Sequence, residues 1–222
     1  MFGNGASLPT DTERTASPQR KRILNAGAGH SSARGIAPVF RNGDWEEVRL
    51  DVDPSVAPNV LGSITEMREF PEHCFDAVWS SHTLEHLFAH EVPRALRECK
   101  RVLKPTGFAI FMCPDLESVA EHLTKYGPDH VAYESAAGPI TPLDMLSGHQ
   151  ASVARGRFSM APKTGFTAER LGKLLLEAGF PTVHVRRDEH FEICALAFAE
   201  EADRDRIQNE LGSWGDQMKP SV

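Results

Sequence analysis

Arg22-Ile23-Leu24-Asn25-Ala26-Gly27-Ala28-Gly29-His30 decides how this chain is read. Apolar and small residues lead into two glycines separated by one alanine, with no helical spacing before them. Such a run reads as a buried strand, Lys21 to Ala26, feeding a tight turn where glycine lets the backbone bend or a ligand approach. About twenty residues further on, Val48-Arg49-Leu50-Asp51-Val52-Asp53 reads as a second strand ending in carboxylates. A glycine turn with an acid at the next strand's end is how an α/β sheet holds a nucleoside.

Outward from that stretch, strands and helices alternate. The segment Ser31 to Asp44 is interrupted by Gly35, Pro38 and Gly43, which predicts a short or broken first helix. The second strand spans about Glu46 to Val52 and stops at Pro54; a short third covers Asn59 to Leu61. Cys74 to Ser80 is apolar enough for a central fourth strand. Glu91 to Leu103 has helical spacing and halts at Lys104-Pro105-Thr106-Gly107, and Phe108 to Cys113 is a fifth strand. Leu116 to Leu123 begins another helix. From about Tyr126 to Gly165 the pattern dissolves into Gly, Pro, Ser and His, which predicts an irregular substrate-side insertion. Thr167 caps a helix over Glu169 to Ala178, closed by Gly179; Thr182 to Val185 and Phe191 to Phe198 form a terminal strand pair. The expected organisation is a disordered leader over 1–20, one domain over 21–200, and a peripheral helix or tail over 201–222. The pattern implies a mainly parallel sheet with helices on both faces.

At 222 residues, one α/β domain is the expectation. A formal charge of -7 argues against a large nucleic-acid surface. No apolar run reaches the roughly 18 residues of a membrane span. Cys74, Cys99, Cys113 and Cys194 have no metal-like spacing and read as reduced packing residues of a cytoplasmic protein.

A nicotinamide fingerprint needs a third glycine where Ser32 stands, so an oxidoreductase is the third reading. Together, the glycine turn, Leu50-Asp51-Val52-Asp53, Phe75-Asp76-Ala77-Val78, Ser81-His82-Thr83-Leu84-Glu85-His86-Leu87, Arg101 to Gly107 and Ala178-Gly179-Phe180 resemble the class I S-adenosylmethionine-dependent methyltransferases. The likeness covers about residues 21–113, more weakly to about 199, and points to the group acting on small molecules. It implies a Rossmann-like seven-stranded, mainly parallel sheet whose last strand is antiparallel. By this resemblance Asn25, Ala26, Gly27 and Gly29 would underlie S-adenosylmethionine, and Asp51 would take the ribose hydroxyls, with Asp53 competing. Gly62-Ser63-Ile64 would lie by the adenine, and Ser80 would approach the methionine end. The family often carries acids where Asn25 and Ser63 stand, which motivates a second reading: a cofactor-binding module without turnover.

Methyl transfer from a sulfonium mostly requires alignment, and a hydroxyl or ammonium acceptor must also lose a proton. His82 and His86, four apart after the fourth strand, and His149, in the insertion, are the candidates for base or acceptor contact. His82-x-x-Glu85-His86 also spells a zinc-protease pattern, but it follows a parallel strand in a nucleotide-binding layout, so no metal is expected. The leading reading is methyl transfer to an oxygen or nitrogen of a small molecule; neither the acceptor nor the oligomeric state is legible.

Overall fold

The computed structural model describes residues 20–30, 35–135, 138–188 and 190–217. All of the expected leader except Arg20, residues 31–34 of the broken-helix segment, and the end of the tail lie outside them. In chain order the strands are β1 (Lys21–Ala26), β2 (Trp45–Asp51), β3 (Val60–Leu61), β4 (Phe75–Ser81), β5 (Leu103–Pro114), β6 (Tyr133–Ser135), β7 (Gly138–Ile140), β8 (Thr182–Arg187) and β9 (Glu192–Phe198). The helices are α1 (Val92–Val102), α2 (Leu116–Tyr126), α3 (Pro142–Ser147), α4 (Gln150–Ala154), α5 (Ala168–Glu177), α6 (Arg204–Leu211) and α7 (Ser213–Gln217).

Seven strands form one sheet in the order β3-β2-β1-β4-β5-β9-β8, and β6 pairs with β7 apart from it. β1 is parallel to β2 and β4, β4 to β5, and β2 to β3, whereas β9 is antiparallel to both neighbours. Successive strands depart in opposite directions from β1 and β4. The crevice at their carboxyl ends is therefore the topological switch point, where open α/β sheets bind ligands.

Each face has its own core. Leu24, Val48, Leu50 and Val78 meet α1 and α5 through Leu96, Cys99, Leu171 and Leu175 on one face. On the other, Ile23, Trp45, Ala77 and Trp79 are covered by Phe40 of a 3₁₀ turn (Pro38–Arg41) and by Ile207 and Leu211 of α6. α6 is thus not peripheral: Ile207 and Leu211 are buried, and Trp214 of α7 lies 6.2 Å from Trp79. The 3₁₀ turn is too short to cover that face alone, so the apolar residues of a charged stretch complete it.

Two boundaries differ from the sequence expectation. Lys104 to Gly107 continue β5 through an irregular register against β4. The insertion carries β6, β7, α3 and α4; a capping box between Thr141 and Asp144, with Pro142 in the first turn, starts α3. Both ends of the insertion lie beyond the carboxyl end of β5: the Leu116 N–H donates to the Phe166 carbonyl at 2.8 Å.

Candidate active site

The bend after β1 is held from three sides. The Gly27 and Ala28 N–H groups donate to the Leu50 carbonyl on β2, at 2.9 and 3.1 Å. Gly27 has φ +76°, and a Cβ there would lie 2.1 Å from Thr83 Oγ1, so no side chain fits. Gly29 has φ +55°, and no described residue comes within 4 Å of where its Cβ would be. Its N–H donates to Asp51 Oδ2 at 2.8 Å, and the Asp53 N–H donates to Asp51 Oδ1 at 2.9 Å. Asp51 therefore faces the bend. Asp53 instead accepts from the Ser55 N–H at 2.8 Å and caps the turn Pro54–Val56. Its carboxyl is held below the usual range by Ser55 first, then by the charges of His30 and Arg157. Arg157 follows α4, so the end of the insertion overlooks this rim.

Arg49 is a residue the sequence reading missed. Its guanidinium donates to the carbonyls of Gly29 at 2.6 Å, Ala57 at 3.0 Å and Val56 at 3.1 Å. Two residues before Asp51, it shares that residue's face of β2, which is the signal that could have found it. Asn25 turns to the neighbouring strand and donates to Glu47 Oε1 at 2.7 Å. Ala26 is buried and its carbonyl accepts from Thr83 Oγ1 at 3.3 Å. The Gly62 N–H donates to the Asp51 carbonyl at 2.9 Å, which sets Ser63 and Ile64 beside the same strand end. The Ser63 and Thr65 hydroxyls share a 2.9 Å hydrogen bond, and Ile64 is buried.

The end of β4 is built differently. Ser80 is buried and its Oγ lacks a partner among the described residues. His82 has φ +50°, a conformation a residue with a side chain adopts only when its surroundings impose it. Its Nε2 lies 2.9 Å from Glu192 Oε1 and its Nδ1 3.2 Å from Glu85 Oε1. Burial alone would depress the imidazole; hydrogen bonds to Glu192 and Glu85, with their charges, carry its pKa up to about 9. At neutral pH His82 is an imidazolium between two carboxylates. Glu85 is 3% exposed, and among the described residues its Oε2 is without a partner, as is His86 Nδ1. His82 precedes the 3₁₀ turn Leu84–His86, so the two histidines do not share a helix face. The Glu85 carbonyl accepts the N–H groups of Lys163 and Thr164, which ties the returning insertion to this rim.

His149 sits inside the insertion, where Nδ1 pairs with Ser152 Oγ at 2.9 Å. Among the described residues no group of three or more His, Cys, Asp or Glu could hold a metal ion. No helix among them is long and apolar enough to cross a membrane. Two surface depressions lie away from the rim: about 300 Å³ lined by Arg68, Phe70 and Arg101, and about 490 Å³ lined by His184, Asp203 and Gln208.

Residues 24–111 match the family described as a methyltransferase domain. No curated protein sequence matches the chain. The fold is similar to 1,6-didemethyltoxoflavin-N1-methyltransferase of Burkholderia thailandensis, solved with 1,6-didemethyltoxoflavin and S-adenosylhomocysteine. That likeness has 16% identity and a TM-score of 0.51, covering 81% of this chain and 71% of the other. It is also similar to a SAM-dependent methyltransferase of Archaeoglobus fulgidus, with 14% identity over 80% of this chain and 86% of that one, TM-score 0.53. A Pyrococcus horikoshii protein has 15% identity over 82% of each chain, TM-score 0.54. The family match spans β1 to β5 up to Phe111, the part that builds the glycine bend, the Asp51 strand end and the β4 rim. That match over part of the chain, with this strand order, makes the chain similar to the class I S-adenosylmethionine-dependent methyltransferases and gives it their fold.

Proposed function

We propose that this protein transfers a methyl group from S-adenosylmethionine to an oxygen or nitrogen of a small molecule. The observation that carries the reading is the 2.8 Å hydrogen bond from Gly29 N–H to Asp51 at the switch point. It fixes a carboxylate against a two-glycine bend, and no described residue crowds the position of a Cβ at Gly29, which suits a nucleoside there. Each Asp51 oxygen accepts one backbone N–H and keeps acceptor capacity for a ribose hydroxyl. In this reading Asn25, Ala26, Gly27 and Gly29 lie beneath the cofactor, and Ser63 and Ile64 border the adenine. Ser80 Oγ, without a partner among the described residues, suits the polar methionine end.

When bound, S-adenosylmethionine supplies a methyl group activated by a cationic sulfonium. The chain's own residues then have to orient the acceptor and take its proton. His82, already protonated at neutral pH, serves as an orienting group between Glu85 and Glu192. His86, on the turn that follows, is the residue this reading assigns to take the acceptor's proton. His149 contacts the acceptor from the insertion. A small-molecule acceptor is supported by the negative charge of the chain and by the ligand of the Burkholderia neighbour. The second reading, cofactor binding without turnover, is favoured by Asn25 being engaged by Glu47 and by His82 holding its proton.

The test is incubation with methyl-labelled cofactor and cell extract, separated into small molecules, protein and RNA. Label in the small-molecule fraction is expected. Label confined to RNA or protein would overturn the acceptor class, and cofactor binding with no labelled product would favour the second reading.

A further inference from the structure

The two glycines of the bend after β1 are held in opposite ways. Gly27 is fixed by packing, since a Cβ there would collide with Thr83. At Gly29 no described residue comes within 4 Å of a Cβ position, yet φ is +55°. A glycine that packing does not restrain samples both signs of φ, so hydrogen bonds have to choose between them. Two side chains of β2 supply those bonds. Asp51 Oδ2 accepts the Gly29 N–H at 2.8 Å, and Arg49 Nη2 donates to the Gly29 carbonyl at 2.6 Å. The two groups belong to the peptide units on either side of the Gly29 Cα, so φ and ψ are both pinned.

The same guanidinium also holds the turn that follows β2. It donates to the Val56 carbonyl at 3.1 Å and to the Ala57 carbonyl at 3.0 Å. Ala57 closes the turn Pro54–Val56 with φ +48°, a left-handed conformation that a residue with a side chain adopts only under restraint. The Arg49 N–H adds a 2.8 Å bond to Asn59 Oδ1. Half-buried, Arg49 thus joins the two loops beside Asp51, the bend after β1 and the turn after β2. A planar fork with donors on two outer nitrogens suits that task, and a single ammonium matches only part of it.

We propose that Arg49 is the positioning residue of the cofactor site. By holding the Gly29 carbonyl and the Val56 and Ala57 carbonyls on one guanidinium, it presets the bend in the shape that receives the nucleoside. This rests on the methyltransferase reading above. Arg49 acts through Gly29, whereas Asp51 meets the ribose in that reading. Without the guanidinium the Gly29 carbonyl is released, and binding has to order it again. Ordering one backbone residue corresponds to about tenfold in affinity.

S-adenosylhomocysteine is titrated calorimetrically into the full chain and three variants, each first shown to be folded by thermal unfolding. Arg49→Met keeps an apolar stem without donors and should bind about tenfold more weakly. Arg49→Lys brings one ammonium toward the Gly29 and Val56 carbonyls that share Nη2, and should recover to within about threefold of wild type. Asn59→Ala loosens the turn after β2 without touching the bend, and should stay within about twofold of wild type. Where Arg49→Met does not fold, Arg49→Gln is read in its place by the same criterion. A folded Arg49→Met chain that binds like wild type overturns the positioning role. So does an Arg49→Lys chain as weak as Arg49→Met, or an equal loss in Asn59→Ala; the cofactor reading survives all three. Failure of the wild-type chain to bind S-adenosylhomocysteine overturns that reading as well.

Discussion

The two halves of the rim hold their shape by different means. At the ends of β1 and β2, backbone groups are fixed by a few side chains: Gly29 N–H on Asp51, and three carbonyls on Arg49. At the end of β4, side chains hold side chains, a histidine sits at φ +50°, and three buried polar atoms lack partners among the described residues. The first half is complete as it stands and suits a ligand recognised by shape and hydroxyls. The second half keeps buried polar atoms without partners among the described residues, the kind of cost that structures tend to carry at functional sites. In the function proposed above, the first half would be the cofactor cradle and the second the acceptor side.

The sharpest way to break it is Gly27→Ala. Positive φ and collision with Thr83 together predict a loss of about 3–5 kcal/mol of stability, read by thermal unfolding. Thr83→Ala in that background should recover part of it. A neutral Gly27→Ala would show that the bend is not imposed by packing.

The β4 half is tested through pH. The folded pKa of His82 is raised from 6.5 to about 9, so its contribution is fully present below pH 6.5 and is lost as pH rises through 9. Replacing His82 with Gln should cost about 2 kcal/mol at pH 6 and much less at pH 10, compared with wild type at each pH. A melting-temperature gap that stays constant over that range would mean His82 carries no proton between the two carboxylates.

The smallest effect is expected at Gly29→Ala. Its φ is positive but no described residue crowds its Cβ position, so the cost should be about 1 kcal/mol. A loss as large as at Gly27 would mean that the two glycines are constrained alike.

Most of this architecture was legible because its signals are local. The glycine bend, the Asp51 strand end and the Thr167 cap each announce themselves within a few residues. What escaped depends on contacts across the chain. Glu192 is 110 residues from His82, and no spacing could have paired them. Arg49 looked like an ordinary polar strand residue, although its partners lie in turns on both sides of β2. α6 looked peripheral because its few apolar residues stand among charges; only the uncovered second face of the sheet shows why Ile207 and Leu211 are buried. Asp51 and Asp53 were indistinguishable by alternation, and the hydrogen bonds of Gly29 and Ser55 separate them.

The central claim is that the bend at Gly27 to Gly29 and the Asp51 carboxylate hold a nucleoside together. Isothermal titration of S-adenosylhomocysteine into wild type and Asp51→Ala tests it most directly. The account predicts saturable one-to-one binding to wild type and an affinity loss of about 10- to 100-fold in the variant. No binding by the folded wild-type chain, or equal affinity in the variant, would contradict it.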